Sequence, residues 1–132
     1  MKTIWVNGCF DVLHMGHIQL LTYAKSIGDK LIVGVDTDDR VKKVKGESRP
    51  FNSVEDRVKM LYAIRYVDMV VEFSSDIELE TYIKSLDIDI MVVGDDYKDK
   101  VVIGSENCNE VKYFTKLDNY STTSILKYEK TK

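Results

Sequence analysis

Two histidines three positions apart mark the part of the 132-residue chain with the clearest capacity for chemistry. His14 and His17 are the two histidines of the chain, and they follow a short apolar run that ends at Gly8. The apolar spacing that comes next predicts a helix, so both imidazoles would lie at its start, beside backbone N–H groups that have no helical acceptor. Because the helix dipole adds partial positive charge there, we predict a polyphosphate site, with Gly8 and Gly16 allowing close backbone approach.

Two plainer interpretations of the histidines stay open. Histidines near the end of a strand are often ordinary surface residues. A zinc site would need more ligands, since two histidines at this spacing without a third give an incomplete set. We therefore expect no metal site built by the protein.

A second concentration of charge lies between residues 40 and 50. These eleven residues contain five basic side chains, although the chain as a whole has a net charge of −3. A run of charge usually belongs to a solvated loop. Because this one follows the second predicted strand, it lies where ligands bind in open α/β sheets.

Composition limits the class of protein. The apolar fraction of 44% and the single proline fit one compact domain over residues 1–132. The negative net charge argues against binding to nucleic acid or to an anionic membrane. No apolar run has transmembrane length and no export signal is recognisable, so we expect a cytoplasmic protein in which Cys9 and Cys108 are free thiols.

Strand-like and helix-like segments alternate along the chain. Apolar runs predict five strands, at Thr3–Asn7, Lys30–Val35, Met69–Phe73, Ile88–Val93 and Glu110–Phe114. Helical spacing predicts helices at Ile18–Ile27, Ser53–Tyr66 and Asp76–Leu86, and one that Ser121 opens. This alternation favours a parallel sheet with right-handed crossovers. Ligands should then bind at the loops that follow the strands, here Asp36–Pro50, Asp95–Cys108 and Thr115–Tyr120.

The first loop resembles a known enzyme signature. It reads Gly8-x-Phe10-Asp11 and then His14-x-Gly16-His17. This pattern is similar to the motif of the HxGH nucleotidyltransferase superfamily, which includes glycerol-3-phosphate cytidylyltransferases and heptose-1-phosphate adenylyltransferases. Ser121-Thr122-Thr123 resembles the second signature of that family, although alone it would be a simple helix cap. The resemblance covers almost the whole chain and implies a Rossmann-like three-layer α/β/α fold with a mostly parallel five-stranded sheet.

The resemblance also implies a reaction. An acceptor phosphate would attack the α-phosphorus of a nucleoside triphosphate in line, and pyrophosphate would leave. No protein nucleophile is needed, so catalysis would rest on positioning and on stabilisation of charge at the phosphoryl oxygens. The implied partners are the triphosphate with its Mg²⁺, a small phosphorylated acceptor and a second copy of the chain in a homodimer, with no nucleic acid and no membrane.

Roles for individual residues follow from the same resemblance. The implied catalytic residues are His14, His17, Lys45 and Arg57. Those implied to bind the nucleotide are Gly8, Cys9, Phe10, His14, Gly16, His17, Lys45, Arg65, Gly94, Asp96, Ser121, Thr122 and Thr123. Those implied to bind the acceptor are Asp11, Lys42 and Arg49. For Arg57 the alternative is a surface ion pair with Glu55 or Asp56.

The substrates are less clear than the reaction, because different segments resemble different enzymes. The segments 64–68 and 94–96 resemble glycerol-3-phosphate cytidylyltransferases, whereas 45–50, 73–76, 96–98 and 104–105 resemble heptose-1-phosphate adenylyltransferases. Tyr97 and the segment 116–119 depart from the cytidylyltransferase pattern. Arg65, Asp95 and Asp96 tilt the balance slightly toward CTP and a polyol phosphate such as glycerol 3-phosphate. The alternatives are an ATP-dependent heptose-1-phosphate adenylyltransferase and, in another class, a non-catalytic nucleotide-binding module.

Overall fold

The computed structural model describes residues 1–115, which contain five strands and four helices. In chain order they are β1 (Thr3–Gly8), α1 (Met15–Ser26), β2 (Lys30–Asp36), α2 (Asp38–Lys45), α3 (Val54–Tyr62), β3 (Met69–Phe73), α4 (Asp76–Ser85), β4 (Ile90–Gly94) and β5 (Glu110–Phe114). Two short 3₁₀ turns, Asp95–Tyr97 and Ser105–Asn107, lie between β4 and β5. The helix predicted after Ser121 lies outside the described residues.

The strands form one sheet in the order β3-β2-β1-β4-β5, and each pairing is parallel. The sequence predicted a mostly parallel sheet, and the described sheet is parallel throughout. From β1 the chain moves outward through β2 and β3 and then crosses to the other side of β1 with β4. The direction of winding therefore reverses between β1 and β4, which in open parallel sheets is where ligands bind, beyond the carboxyl ends of the strands.

Alternate side chains of the strands enter two separate cores. Ile4 and Val6 of β1 face one layer of helix, where Leu21 of α1 is fully buried. Trp5 points to the opposite face and packs in the cluster that contains Ile83 of α4. The period of two along the strand thus places helices on both faces, as the predicted three-layer fold requires.

Helix α2 corrects the expectation of an irregular loop over Asp36–Pro50. The Thr37 hydroxyl accepts a hydrogen bond from the Arg40 N–H, two aspartates occupy the first turn, and three lysines occupy the last turn. The cap satisfies a backbone N–H at the start of the helix, and the charges at both ends interact favourably with the helix dipole. Because Val41 is the one buried residue of α2, apolar periodicity was too weak to show the helix. The basic residues from Arg40 to Lys45 are therefore held on a regular element.

The other boundaries differ from the predicted ones by a few residues. Helix α1 begins three residues early, at Met15, because His14 caps it. Helix α3 ends at Tyr62 rather than Tyr66, because the chain turns there. In these turns the Ile64 N–H donates to the Leu61 carbonyl and the Val67 N–H donates to the Ile64 carbonyl. Strand β4 begins two residues later than predicted.

Candidate active site

A cleft of about 480 Å³ opens at the carboxyl ends of β1, β2 and β4. Many of the residues predicted to bind or react line it: Gly8, Cys9, Phe10, Asp11, His14, Gly16, His17, Lys45, Arg49, Gly94 and Asp96. The cleft has the size of a small-ligand site and lies at the point where the winding of the sheet reverses. The fold thus brings together most of the predicted residues that the structure describes.

The two histidines cap helix α1 with their side chains. His14 is the N-cap, and its Nδ1 accepts a hydrogen bond of 3.0 Å from the Gly16 N–H. His17 reaches back, and its Nδ1 accepts a hydrogen bond of 3.2 Å from the His14 N–H. This reciprocal arrangement is the histidine counterpart of a capping box. The imidazole rings lie close together, with centroids 3.9 Å apart.

These caps fix the tautomer of both imidazoles. A nitrogen that accepts a backbone hydrogen bond carries no proton, so the proton of each neutral ring lies on Nε2. Each ring can therefore act as an Nε2–H donor while Nδ1 holds the helix. Two such donors at a helix N-terminus suit the oxygens of a polyphosphate.

The loop that precedes His14 has a strained backbone and is held in place by hydrogen bonds of Asp11. Phe10 and Val12 have φ angles of 51° and 50°, a region that a β-branched residue rarely adopts. Between them Asp11 is 1% exposed, and its carboxylate accepts hydrogen bonds from the Phe51 N–H at 2.5 Å and the Asn52 N–H at 2.9 Å. Asp11 lines the cleft as predicted, but it also fastens this loop to the chain that follows α2.

Arg57 is a buried structural hub rather than a side chain that lines the cleft. It is 1% exposed, and it donates hydrogen bonds to the carbonyls of Cys9, Asp36 and Asn52 at 2.8–3.0 Å. It also pairs with the Asp38 carboxylate at 2.7 Å. The structure therefore corrects the alternative of a surface ion pair with Glu55 or Asp56. Arg57 does not line the described cleft, and its implied catalytic role at the triphosphate stays a prediction. Sequence alone could not show that the guanidinium points inward.

The basic residues that follow β2 divide into two groups. Lys45 and Arg49 line the cleft, whereas Lys42 is exposed on α2 and does not line it. The Nε and Nη2 atoms of Arg49 are buried without a hydrogen-bond partner, and Nε lies 3.6 Å from the Asp11 carboxylate. A buried guanidinium with unmet donors is costly, and a bound anion would supply the missing acceptors.

Two other sets of predicted residues are not part of the described cleft. Arg65 is exposed just before β3, at the amino end of the strands, where it bonds the Tyr66 hydroxyl at 3.2 Å. The cleft lies at the opposite end of the sheet. Ser121, Thr122 and Thr123 lie outside the described residues.

The cleft also contains polar residues that were not among the predicted site residues. Asp36, Arg40 and Tyr97 all line the cleft. Asp36 is the last residue of β2, and burial raises the pKa of its carboxyl group although Arg40 and other cations act to lower it. Its place directly after a buried strand was the signal that could have identified it.

Residues 1–115 contain no group of three or more histidine, cysteine or acidic side chains that could hold a metal ion. No helix in the same range has the length and apolar character needed to span a membrane. Cys9 lines the cleft as a free thiol, and burial raises its pKa. The cleft therefore supplies hydrogen-bond donors and cations rather than a cage of metal ligands.

Comparison with known proteins identifies the family. The family model described as Cytidylyltransferase-like matches residues 5–132. A protein named Bifunctional protein HldE from Campylobacter fetus subsp. fetus is 50% identical over 123 residues, which is 93% of this chain and 27% of that protein. The protein of the same name from Wolinella succinogenes is 44% identical over 126 residues, 96% of this chain and 26% of that protein. The chain thus spans about a quarter of the length of these relatives.

Solved structures agree on the fold. The lipopolysaccharide core biosynthesis protein from Thermoplasma volcanium superposes with a TM-score of 0.73 at 24% identity, over 89% of this chain and 99% of that one. A protein of unknown function from Archaeoglobus fulgidus superposes with a TM-score of 0.69 at 18% identity, over 92% of this chain and 95% of that one. Both share the Rossmann-like α/β architecture described above.

Proposed function

Because this chain belongs to the cytidylyltransferase-like family of nucleotidyltransferases, we propose that it transfers the AMP unit of ATP to a sugar 1-phosphate, with heptose 1-phosphate the first candidate. The observation that carries the proposal is the pair of imidazoles that cap α1 inside the cleft. Their Nε2–H groups and the start of the helix form a site for a polyphosphate.

The choice of ATP over CTP follows from the relatives and from one residue. The matched relatives are named HldE, and the segments 45–50 and 96–98 resemble heptose-1-phosphate adenylyltransferases. Arg65 was a reason to prefer CTP, yet in this chain it lies at the end of the sheet opposite the cleft. The comparisons therefore favour the adenylyl alternative over transfer of CMP to glycerol 3-phosphate.

The proposed reaction needs no covalent intermediate on the protein. An oxygen of the acceptor phosphate attacks the α-phosphorus of ATP, a new P–O bond forms, and the bond to the bridging oxygen of pyrophosphate breaks. The products are a nucleoside diphosphate sugar and pyrophosphate. His14 and His17 donate through Nε2–H to the phosphate oxygens where negative charge increases, and removal of such a donor typically costs about 10²–10³ in kcat.

The remaining cleft residues have complementary roles in this proposal. Lys45 and Arg49 provide positive charge for the phosphates, and the unmet donors of Arg49 favour the acceptor phosphate. Mg²⁺ arrives with the triphosphate, because the described cleft offers no set of protein ligands for it. Asp11 and Arg57 hold the loops that carry these groups.

We also propose that the protein acts as a homodimer, which sedimentation velocity would test.

The experiment that tests the proposal is pyrophosphate release with Mg²⁺ in a grid of substrates. ATP, CTP, GTP and UTP are each paired with heptose 1-phosphate, glycerol 3-phosphate, phosphocholine and phosphoethanolamine. We expect release with ATP and heptose 1-phosphate. Release with CTP and glycerol 3-phosphate alone would contradict the choice of substrates but keep the reaction. No release in any pair, together with thermal stabilisation by a triphosphate, would instead indicate a non-catalytic nucleotide-binding module.

A further inference from the structure

The wall of the cleft formed by the end of β2 has a different chemistry from the side that would bind phosphate. Asp36 closes β2 with a carboxylate that lines the cleft, and its side chain is only 17% exposed. Phosphate and carboxylate repel each other, so Asp36 is not suited to an anion. Its ligand must offer hydrogen-bond donors.

The carboxylate of Asp36 is only partly satisfied by the protein. Arg40 Nε lies 3.7 Å from Asp36 Oδ1, which is too far for a hydrogen bond. The guanidinium turns instead toward Asp76, with Nη2 at 2.8 Å, and stacks over the Phe73 ring at 5.1 Å. None of the hydrogen bonds found among residues 1–115 ends on the Asp36 carboxylate. This partly exposed acceptor lines the cleft, where the donors of a ligand can reach it.

The charged groups around Asp36 explain why it stays in the cleft as an acceptor. Arg40, Arg57 and Lys45 are the cations that act on it, and each comes from a different place on α2 or α3. Arg57 donates hydrogen bonds to main-chain carbonyls and forms an ion pair with Asp38. Arg40 forms its shorter ion pair with Asp76. The electrostatic attraction of these cations therefore acts to stabilise the negative charge of Asp36, although none of them donates a hydrogen bond to its carboxylate oxygens.

We propose that Asp36 is a specificity residue that accepts hydrogen bonds from a pair of neighbouring hydroxyl groups on the substrate. This inference rests on the proposed function and deepens it, because it states that the ligand beside β2 is a polyol. A vicinal diol has two O–H donors whose spacing fits the two oxygens of one carboxylate. The diol can belong to the acceptor sugar or to the ribose of the triphosphate, and the test below separates these sources.

The test compares Asp36→Asn with Asp76→Asn. Asparagine has the shape of aspartate but no charge and one acceptor fewer. Asp76→Asn removes the closer ion-pair partner of the same Arg40 at a site outside the cleft lining, so it is the matched control. Asp36→Glu, which keeps the charge but moves the carboxylate, is a second variant. Thermal unfolding verifies that each variant folds.

Binding is measured by calorimetry, so the result does not depend on turnover. The probes are heptose 1-phosphate, analogues that each lack one hydroxyl group, ATP, 2′-deoxy-ATP and 3′-deoxy-ATP. We expect Asp36→Asn to weaken binding of the parent ligand about tenfold or more, because a hydrogen bond to a charged group is worth about 1.5–3 kcal/mol. Two analogues that lack neighbouring hydroxyls should lose affinity in the wild type and almost none in Asp36→Asn. Asp36→Glu should likewise bind the parent ligand and these analogues with nearly equal affinity. The affinity of Asp76→Asn for the parent ligand should stay within about twofold of the wild-type value.

If the affinity lost on removal of sugar hydroxyls depends on Asp36, the diol belongs to the acceptor. If the affinity lost on removal of ribose hydroxyls depends on Asp36, the diol belongs to the nucleotide. Equal losses for every analogue in the wild type and in Asp36→Asn would overturn this inference alone. If the wild type binds neither ATP nor heptose 1-phosphate, the proposed function fails first and the role of Asp36 fails with it.

Discussion

At the scale of single residues, each imidazole of the pair has two distinct roles. Nδ1 accepts a backbone hydrogen bond and holds the start of α1, whereas Nε2 carries the proton and can donate to a ligand. The sequence predicted the placement of His14 and His17 at the helix start, because the apolar periodicity after them was clear. It could not show that the histidines themselves form the cap, since serine, threonine, aspartate and asparagine are the usual caps.

The two roles of His14 can be separated by substitution. His14→Asn keeps a side-chain acceptor at the N-cap but has no Nε2–H donor, whereas His14→Ala loses both. We expect both variants to lower kcat for pyrophosphate release by about 10²–10³. His14→Ala should also lower the free energy of unfolding by about 1 kcal/mol, while His14→Asn stays near the wild type. Near-native turnover in His14→Asn would show that the imidazole acts only as a cap.

Cys9 offers a chemical probe of the cleft. Burial raises the pKa of its thiol, and the aspartates Asp11 and Asp36 also raise it, while Arg57 and Lys45 lower it. In a Cys108→Ser background we expect slow labelling by a small thiol reagent at pH 7 and faster labelling as the pH rises, because the thiolate reacts. Since Cys9 lines the cleft, ATP should protect it. The matched Cys9→Ser variant reports on Cys108, and equal protection of both thiols by ATP would contradict this placement.

At the scale of elements, the structure depends on side chains that tie loops together at one end of the sheet. Arg57 of α3 bonds main-chain carbonyls after β1 and at the end of β2, and Asp11 bonds amides that precede α3. Apolar periodicity predicted α1, α3 and α4 because each has a buried face. It missed α2, which has one buried residue and depends on its cap and charges.

Substitution of Arg57 tests this role. Arg57→Ala removes a buried guanidinium and leaves Asp38 and three carbonyls without their donors. We expect a loss of about 3–5 kcal/mol in the free energy of unfolding, measured by urea denaturation. Lys59→Ala, at an exposed position of the same helix, should change stability by less than about 0.5 kcal/mol. A stable Arg57→Ala protein that fails only to bind triphosphate would contradict this structural role and support the predicted role of Arg57 at the triphosphate.

At the scale of the whole molecule, strand order decides which residues meet. Alternation of strand and helix predicted a parallel sheet, but not the order β3-β2-β1-β4-β5 that places the ends of β1 and β4 side by side. For the same reason the sequence did not show that Asp36 and Tyr97 share a cleft with the histidines, or that Arg65 lies at the opposite end. Such proximity depends on contacts distant in sequence, which no local pattern records.

The amino end of the sheet is stabilised by a carboxylate whose effect depends on pH. Burial acts to raise the pKa of Asp68, but hydrogen bonds from Lys25 Nζ and the Leu31 N–H lower it by more, so the net pKa is below its ordinary value. A lowered pKa means that Asp68 adds stability above about pH 3.9 and that this stability is lost as the pH falls further.

Asp68→Asn should therefore lower the free energy of unfolding at pH 7, and the difference from the wild type should shrink as the pH falls below about 4. Chemical denaturation across pH measures it. Glu80→Gln changes an exposed carboxylate that forms no ion pair among residues 1–115, so it is the control. A difference that is constant with pH would show that charge on Asp68 does not contribute.

The measurement that tests the central claim most directly is ³¹P NMR of the products formed from ATP, heptose 1-phosphate and Mg²⁺. Attack at the α-phosphorus predicts equal amounts of pyrophosphate and a nucleoside diphosphate sugar, formed about 10²–10³ times more slowly by His14→Asn. ADP and a doubly phosphorylated sugar would mean attack at the γ-phosphorus, and ADP with inorganic phosphate would mean hydrolysis. Either of these results would contradict a cleft built to transfer a nucleotide.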